Sequence, residues 1–81
     1  MMNETILEQL NKIFIEVLDN PSIILFVSTT ANDIDEWDSL SNIELIVAIE
    51  KKFKIKFTSN DIEKWNNIYD IINTITVKYS R

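Results

Sequence analysis

The sequence predicts an all-α fold, a four-helix bundle of three longer helices and one short helix, with a long loop between helices 1 and 2. Three observations lead there. Apolar residues recur at three- and four-residue steps through the first, middle and last segments of the chain. Residues that cap helices stand before these segments. The stretch Phe53-Lys54-Ile55-Lys56-Phe57 alternates with period two, but its one plausible strand partner is Ile23 to Val27, and an isolated two-stranded ribbon is marginal. It is therefore expected as an extended connection that tucks its aromatic side chains inward.

The elements follow in order. Asn3 is placed to cap a first helix whose residues Ile6, Leu7, Leu10, Ile13, Phe14, Val17 and Leu18 give one broad apolar face. Asn20-Pro21 stops it, because proline cannot continue the ladder of N–H bonds. From Ser22 to Asp38 no helical period survives, which predicts a long surface connection anchored by its Ile, Leu, Phe and Val residues. The second helix runs from the Asp38 to Ser41 region to about Phe53, with Lys51 and Lys52 in its last turn, where cations suit the helix dipole. Asn60, three residues before Glu63, is expected to start a short helix ending near Trp65. Asn67 caps a last helix with Ile68, Ile71, Ile72, Ile75 and Tyr79 along one side.

Composition narrows the function. A chain of 81 residues is one small domain over 1–81, and with 46% apolar residues it can bury a single core. Cysteine and histidine are both absent, which removes thiolate nucleophiles, the Ser-His and Cys-His pairs, and nearly all transition-metal sites. Glycine is absent as well, so no glycine-rich phosphate loop exists. The N-terminal residues lack the basic and apolar regions of a signal peptide, and no apolar run can span a bilayer, so a cytoplasmic protein without membrane insertion is expected. A net charge of −5 argues against nucleic acid and makes basic protein surfaces the natural partners.

One short motif carries the chemistry. In Asp38-Ser39-Leu40-Ser41 an acid and two hydroxyls precede the strongest apolar helix pattern of the chain. Asp38 can cap the helix and place Ser39 at its first position; alternatively Ser41 and Glu44 form a capping box and leave Ser39 in the loop. In both arrangements the Ser39 hydroxyl lies at the open N-terminal end, where unpaired N–H groups and the dipole favour an attached phosphodiester.

The run WDSLSNIELIVAIEKKFKIKF followed by SNDIEKWNNIYDIINTI resembles the acyl carrier protein family in order, spacing and length, over essentially the whole chain. The combination of Asp38-Ser39-Leu40, the Ile-Glu-Leu pattern after it, Glu50, Phe53 and two short C-terminal helices makes the resemblance specific; Asp-Ser-Leu alone would be weak. The resemblance implies a carrier rather than an enzyme. A 4′-phosphopantetheine arm would be attached to Ser39, beside Asp38 and Leu40, by a phosphopantetheinyl transferase acting as holo-carrier synthase. Its thiol would hold acyl intermediates as thioesters and present them to acyl-loading and acyl-using enzymes. A monomer is expected on the same grounds.

The surface fits such partners. Between Asp33 and Glu50 lie six acidic residues and no basic ones, a patch suited to enzymes with basic docking surfaces. On the second helix Ile43, Ile46, Ile49 and Phe53 are expected to face the core. Leu40, Glu44 and Val47 run along a neighbouring face and, with Asp35 and Glu36, are the expected docking contacts. Two departures from the family stand out: Glu36-Trp37 replaces the small residue or Gly-Phe often found before Asp-Ser-Leu, and Lys51, Lys52, Lys54 and Lys56 replace part of the usual acidic run. Trp37 is expected to anchor the loop, and the lysines favour a specialised biosynthetic pathway over general fatty acid synthesis. Two other readings compete. Asp33, Asp35 and Glu44 match positions one, three and twelve of an EF-hand loop, but Trp37 and Asp38 occupy its fifth position and its obligatory glycine, so no metal site is expected. A helical adaptor without a prosthetic group would use the same exposed stripe.

Overall fold

The computed structural model describes residues 2–79, with side chains from Thr5 to Tyr79. It contains α1 (Met2–Leu18), a 3₁₀ turn (Ala31–Asp33), α2 (Ser39–Phe53), α3 (Ser59–Glu63) and α4 (Ile68–Tyr79). Among the described residues there is no strand, as the sequence predicts. Helix α1 begins at Met2, before the Asn3 expected to cap it, and the Asn3 side chain lies outside those described.

α1 packs against α2 and α4. Ile6, Leu10, Phe14 and Leu18 of α1 meet Leu45 and Ile49 of α2 and Ile68, Ile71, Ile72 and Ile75 of α4 in one buried cluster. Leu7 and Val17 line its margin. This interior is almost wholly aliphatic, with Phe14 its largest fully buried side chain.

Helix ends depend on left-handed backbone that the chain must form without glycine. α1 stops at Leu18 because Asp19 turns to φ 54°, and the N–H of Asn20 reaches back to the Ile15 carbonyl at 3.2 Å. α2 stops in the same way: Lys54 takes φ 57°, and the N–H of Ile55 bonds the Glu50 carbonyl at 3.2 Å. A side chain in this conformation costs about 1 kcal/mol.

The loop from Asp19 to Asp38 is held by particular bonds. Asn11 of α1 donates its amide to the Ile23 carbonyl at 3.1 Å and accepts the N–H of Leu25 at 2.6 Å. Ile23 and Leu25 are buried, but Ile24, Phe26 and Val27 are exposed, so the expectation that the whole apolar run anchors the loop is corrected. The backbone is extended there, and alternate side chains must face opposite ways. The loop then serves α4, whose first N–H groups have no partner within the helix: Ile68 donates to the Thr29 carbonyl at 2.9 Å and Tyr69 to that of Val27 at 2.8 Å.

The α2–α3 connection is the extended piece expected at Phe53–Phe57. Phe53 is buried, Ile55 and Phe57 are half-buried, and Lys54 and Lys56 face solvent. The Glu50 carboxylate accepts the N–H of Phe57 at 2.8 Å, and the Phe57 ring meets Trp65 edge-on at 4.8 Å. α3 is capped by Thr58 rather than Asn60: Thr58 Oγ1 accepts the N–H of Asp61 at 3.1 Å, and the Asp61 carboxylate accepts that of Thr58 at 2.9 Å. The helix ends at Glu63, short of Trp65. Asn67 caps α4 as expected, its side-chain oxygen accepting the N–H of Asp70 at 3.0 Å. Tyr79 is half-exposed and touches the edge of Phe53 with ring centres 6.0 Å apart.

Candidate functional site

The start of α2 settles how its polar residues are used. Asp38 is extended (φ −124°, ψ −172°), and its Oδ1 accepts the N–H groups of Leu40 at 3.0 Å and Ser41 at 2.9 Å. Ser41 returns the bond: its Oγ accepts the N–H of Asp38 at 2.9 Å and donates to the Glu36 carbonyl at 2.8 Å. Asp38 is therefore the cap, and the rival start at Ser41 with Glu44 is not adopted. The backbone N–H of Ser41 holds the Asp38 carboxyl below its ordinary value; desolvation opposes it, and the Ser41 hydroxyl and the Leu40 N–H add to the lowering.

Ser39 takes the first position of the helix. Its side chain is exposed, and among the described residues no hydrogen bond engages its hydroxyl. Three devices fix the turn beneath it. The Trp37 N–H bonds the Ile34 carbonyl at 3.1 Å, its indole Nε1 donates to Asn42 Oδ1 at 2.9 Å, and its ring stands edge-on to Phe14 at 4.9 Å. Trp37 thus anchors the loop to the core and to α2 at once.

A cleft of about 300 Å³ opens beside Ser39, between the start of α2 and the α3–α4 segment. Trp37 and Trp65 form apolar walls with Ile62 and Ile71, while Asn42 and Asn67 contribute amides. The Trp65 indole is fixed by its bond to Thr74 Oγ1 at 3.0 Å. The site thus combines a free hydroxyl at a helix N-terminus with a neighbouring apolar recess. Asn42 had no evident signal in the sequence, since an asparagine within a helix reads as a solvated position.

On α2 the structure leaves Leu40, Glu44 and Val47 exposed, while Asp35 and Glu36 stand in the loop before it. Leu40 is 73% exposed and Val47 45%, with Glu44 and Asp35 also exposed. Glu36 is exposed but accepts the Asn20 side-chain amide at 3.1 Å. The phase of the helix is corrected: Ile43, expected in the core, is 60% exposed and joins Leu40 and Val47, whereas Leu45 is buried beside Ile49 and Phe53. Ile46 is half-buried. Apolar residues surround this helix on nearly all sides, so spacing alone could not fix which stripe meets α1. Asp33 caps the 3₁₀ turn, its carboxylate accepting the Thr30 N–H at 2.9 Å, and among the described residues no three carboxylates gather into a metal site.

A family model described as a phosphopantetheine attachment site matches residues 8–75, a span that includes all of α2 and α3. A search of curated proteins finds no match. Among solved structures, the solution NMR structure of the holo acyl carrier protein from Geobacter metallireducens is 44% identical, with a TM-score of 0.88 over 93% of this chain and 86% of that one. Both comparisons run through the helix that begins at Ser39 and the bundle that supports it, and the chain belongs to the acyl carrier protein family, whose members carry acyl groups and are not enzymes.

Proposed function

We propose that Ser39 is the attachment residue for a covalent 4′-phosphopantetheine, and that residues 1–81 act as one monomeric, cytoplasmic carrier domain. The observation that carries this reading is the contrast between the two hydroxyls of the motif. Ser41 Oγ is committed to Asp38 and Glu36, whereas Ser39 Oγ is exposed and unengaged at the first position of α2. When bound, the arm supplies a thiol that holds acyl groups as thioesters. The chain's own contribution is to hold the attachment oxygen in solvent and to favour a phosphodiester through the positive end of the α2 dipole. The cleft between Trp37 and Trp65 offers an acyl group an apolar surface on which to leave water.

Partners follow from the surface. A phosphopantetheinyl transferase and acyl-handling enzymes with basic docking surfaces would engage Asp35, Glu36, Leu40, Glu44 and Val47, and Ile43 now joins them. The lysines at 51, 52, 54 and 56 support a specialised biosynthetic pathway over general fatty acid synthesis, because they remove the continuous acidic face that a general carrier would offer. No helix among the described residues is long and apolar enough to cross a membrane.

The test is incubation of the purified chain with coenzyme A and a broad-specificity phosphopantetheinyl transferase, followed by intact-mass measurement. Wild type and Ser41→Ala should each gain one phosphopantetheine, and Ser39→Ala none. A Ser39→Ala variant that is still loaded would overturn the assignment. A wild type that is never loaded would favour the adaptor without a prosthetic group.

A further inference from the structure

Charge is segregated along this chain. Residues 1–50 carry ten carboxylates and one lysine, and residues 51–81 carry seven Lys or Arg and three carboxylates. A net −9 is therefore followed by a net +4, which together make the −5 of the whole. Folding concentrates the positive part further. Lys54, Lys56, Lys64 and Lys78 line a single groove of about 610 Å³ together with Ile55, Thr74 and Val77 and one carboxylate, Asp61. Lys51 stands on an adjoining recess that shares Lys54, Ile55 and Lys56.

These cations are largely unneutralised. Lys78 pairs with Asp61 at 3.0 Å, but among the described residues no carboxylate pairs with Lys54, Lys56 or Lys64. Lys54 also occupies the left-handed position that closes α2, where glycine or asparagine would cost less. Like charges gathered without partners repel one another and lower stability, so the groove stands at a disadvantage that a bound anion would relieve. Its apolar part is real as well: Val77 is 61% exposed and Ile55 half-buried. The Lys54 end of the groove is remote from Ser39, which opens the 15-residue helix that Lys54 closes; at 1.5 Å per residue the two ends are about 22 Å apart.

We propose that this groove docks a short acidic segment of a partner protein, with carboxylates against Lys54, Lys56 and Lys64 and an apolar side chain on Ile55 and Val77. Net charge selects this occupant over a membrane or a nucleic acid. An extended polyanion also faces the acidic remainder of the molecule, whereas a short segment stays within about one Debye length, roughly 8–10 Å, of the lysines. A partner held here leaves the Ser39 end free for a second protein. The proposal does not depend on modification of Ser39.

The test uses the unmodified full chain, isotope-labelled, titrated with a short synthetic peptide of glutamates and leucines. Amide shifts should concentrate at 54–56, Lys64 and 73–78, leave 39–44 unmoved, and fade as salt is raised. Three exposed charge pairs of ordinary strength amount to roughly a tenfold change in Kd, so K54Q/K56Q/K64Q should weaken binding by about that factor. K56Q/K64Q, which leaves the end of α2 intact, should show part of the loss with a melting temperature no lower than that of the wild type, since it removes like-charge repulsion. An absence of binding, shifts centred on the acidic face, or full affinity in the triple variant would overturn the proposal. So would tighter binding to phosphatidylglycerol vesicles than to the peptide.

Discussion

Ser39 and Ser41 are two residues apart and chemically identical, yet the Asp38 carboxylate and the Glu36 carbonyl give them different work. Ser41 is drawn into the cap and Ser39 is left outside it. The cap also links this end of the protein to pH. Because the folded carboxyl of Asp38 sits below its ordinary value, its contribution to stability is complete above the usual carboxylate range and is lost as pH falls through the folded value. Asp61 shifts in the same direction, chiefly through the N–H of Thr58 and then Lys78, and adds to the same acid limb. Asp38→Asn should therefore leave neutral-pH stability nearly unchanged, since asparagine caps as well as aspartate, while flattening the acid limb of the melting temperature without abolishing it. Circular-dichroism melts from neutrality into acid check this, and Asp38→Ala should lower the melting temperature at every pH. Asp38 as a cap was legible in the sequence, but its choice over Ser41 was not. Both patterns are good caps, and the outcome rests on the reciprocal bond to Ser41 and that serine's further bond to Glu36, which local spacing does not reveal.

Helices were legible as elements and less so as oriented objects. Three- and four-residue spacing located α1, α2 and α4, and the Asn67 cap was read correctly. The phase of α2 was not, because Leu40, Ile43, Leu45, Ile46, Val47 and Ile49 leave little polar contrast around its circumference; contact with α1 decides which side is buried. Substitutions separate the two stripes. Ile43→Ala should change unfolding free energy by no more than about 0.5 kcal/mol, whereas Leu45→Ala should cost about 2–5 kcal/mol by emptying the α1–α2 interface. Urea unfolding of both variants measures the difference, and equal losses would return Ile43 to the core. At α3 the Asn60–Glu63 spacing competed with Thr58–Asp61, and the latter prevails because both of its reciprocal bonds form.

At the scale of the molecule the loop between α1 and α2 is a brace. Asn11 ties it to α1, and its Val27 and Thr29 carbonyls close the first N–H groups of α4, so three elements meet through backbone bonds that hydrophobic patterning cannot announce. Asn11→Ala should leave the Ile23 carbonyl and the Leu25 N–H without their partner, at about 1–3 kcal/mol. Hydrogen exchange should then quicken at Ile68 and Tyr69, on the far side of the brace, more than in the middle of α2. Exchange confined to residues next to Asn11 would show that the loop transmits nothing.

The chain's two tryptophans are both built into the walls of the recess beside Ser39, each with its indole N–H already fixed and its ring edge-on to a phenylalanine. Their ultraviolet emission depends on how much water reaches those rings. The protein thus carries its own optical gauge of occupancy: a cargo that settles in the recess would shift the colour of the emitted light, and one that stays in solvent would leave it unchanged, with no dye attached.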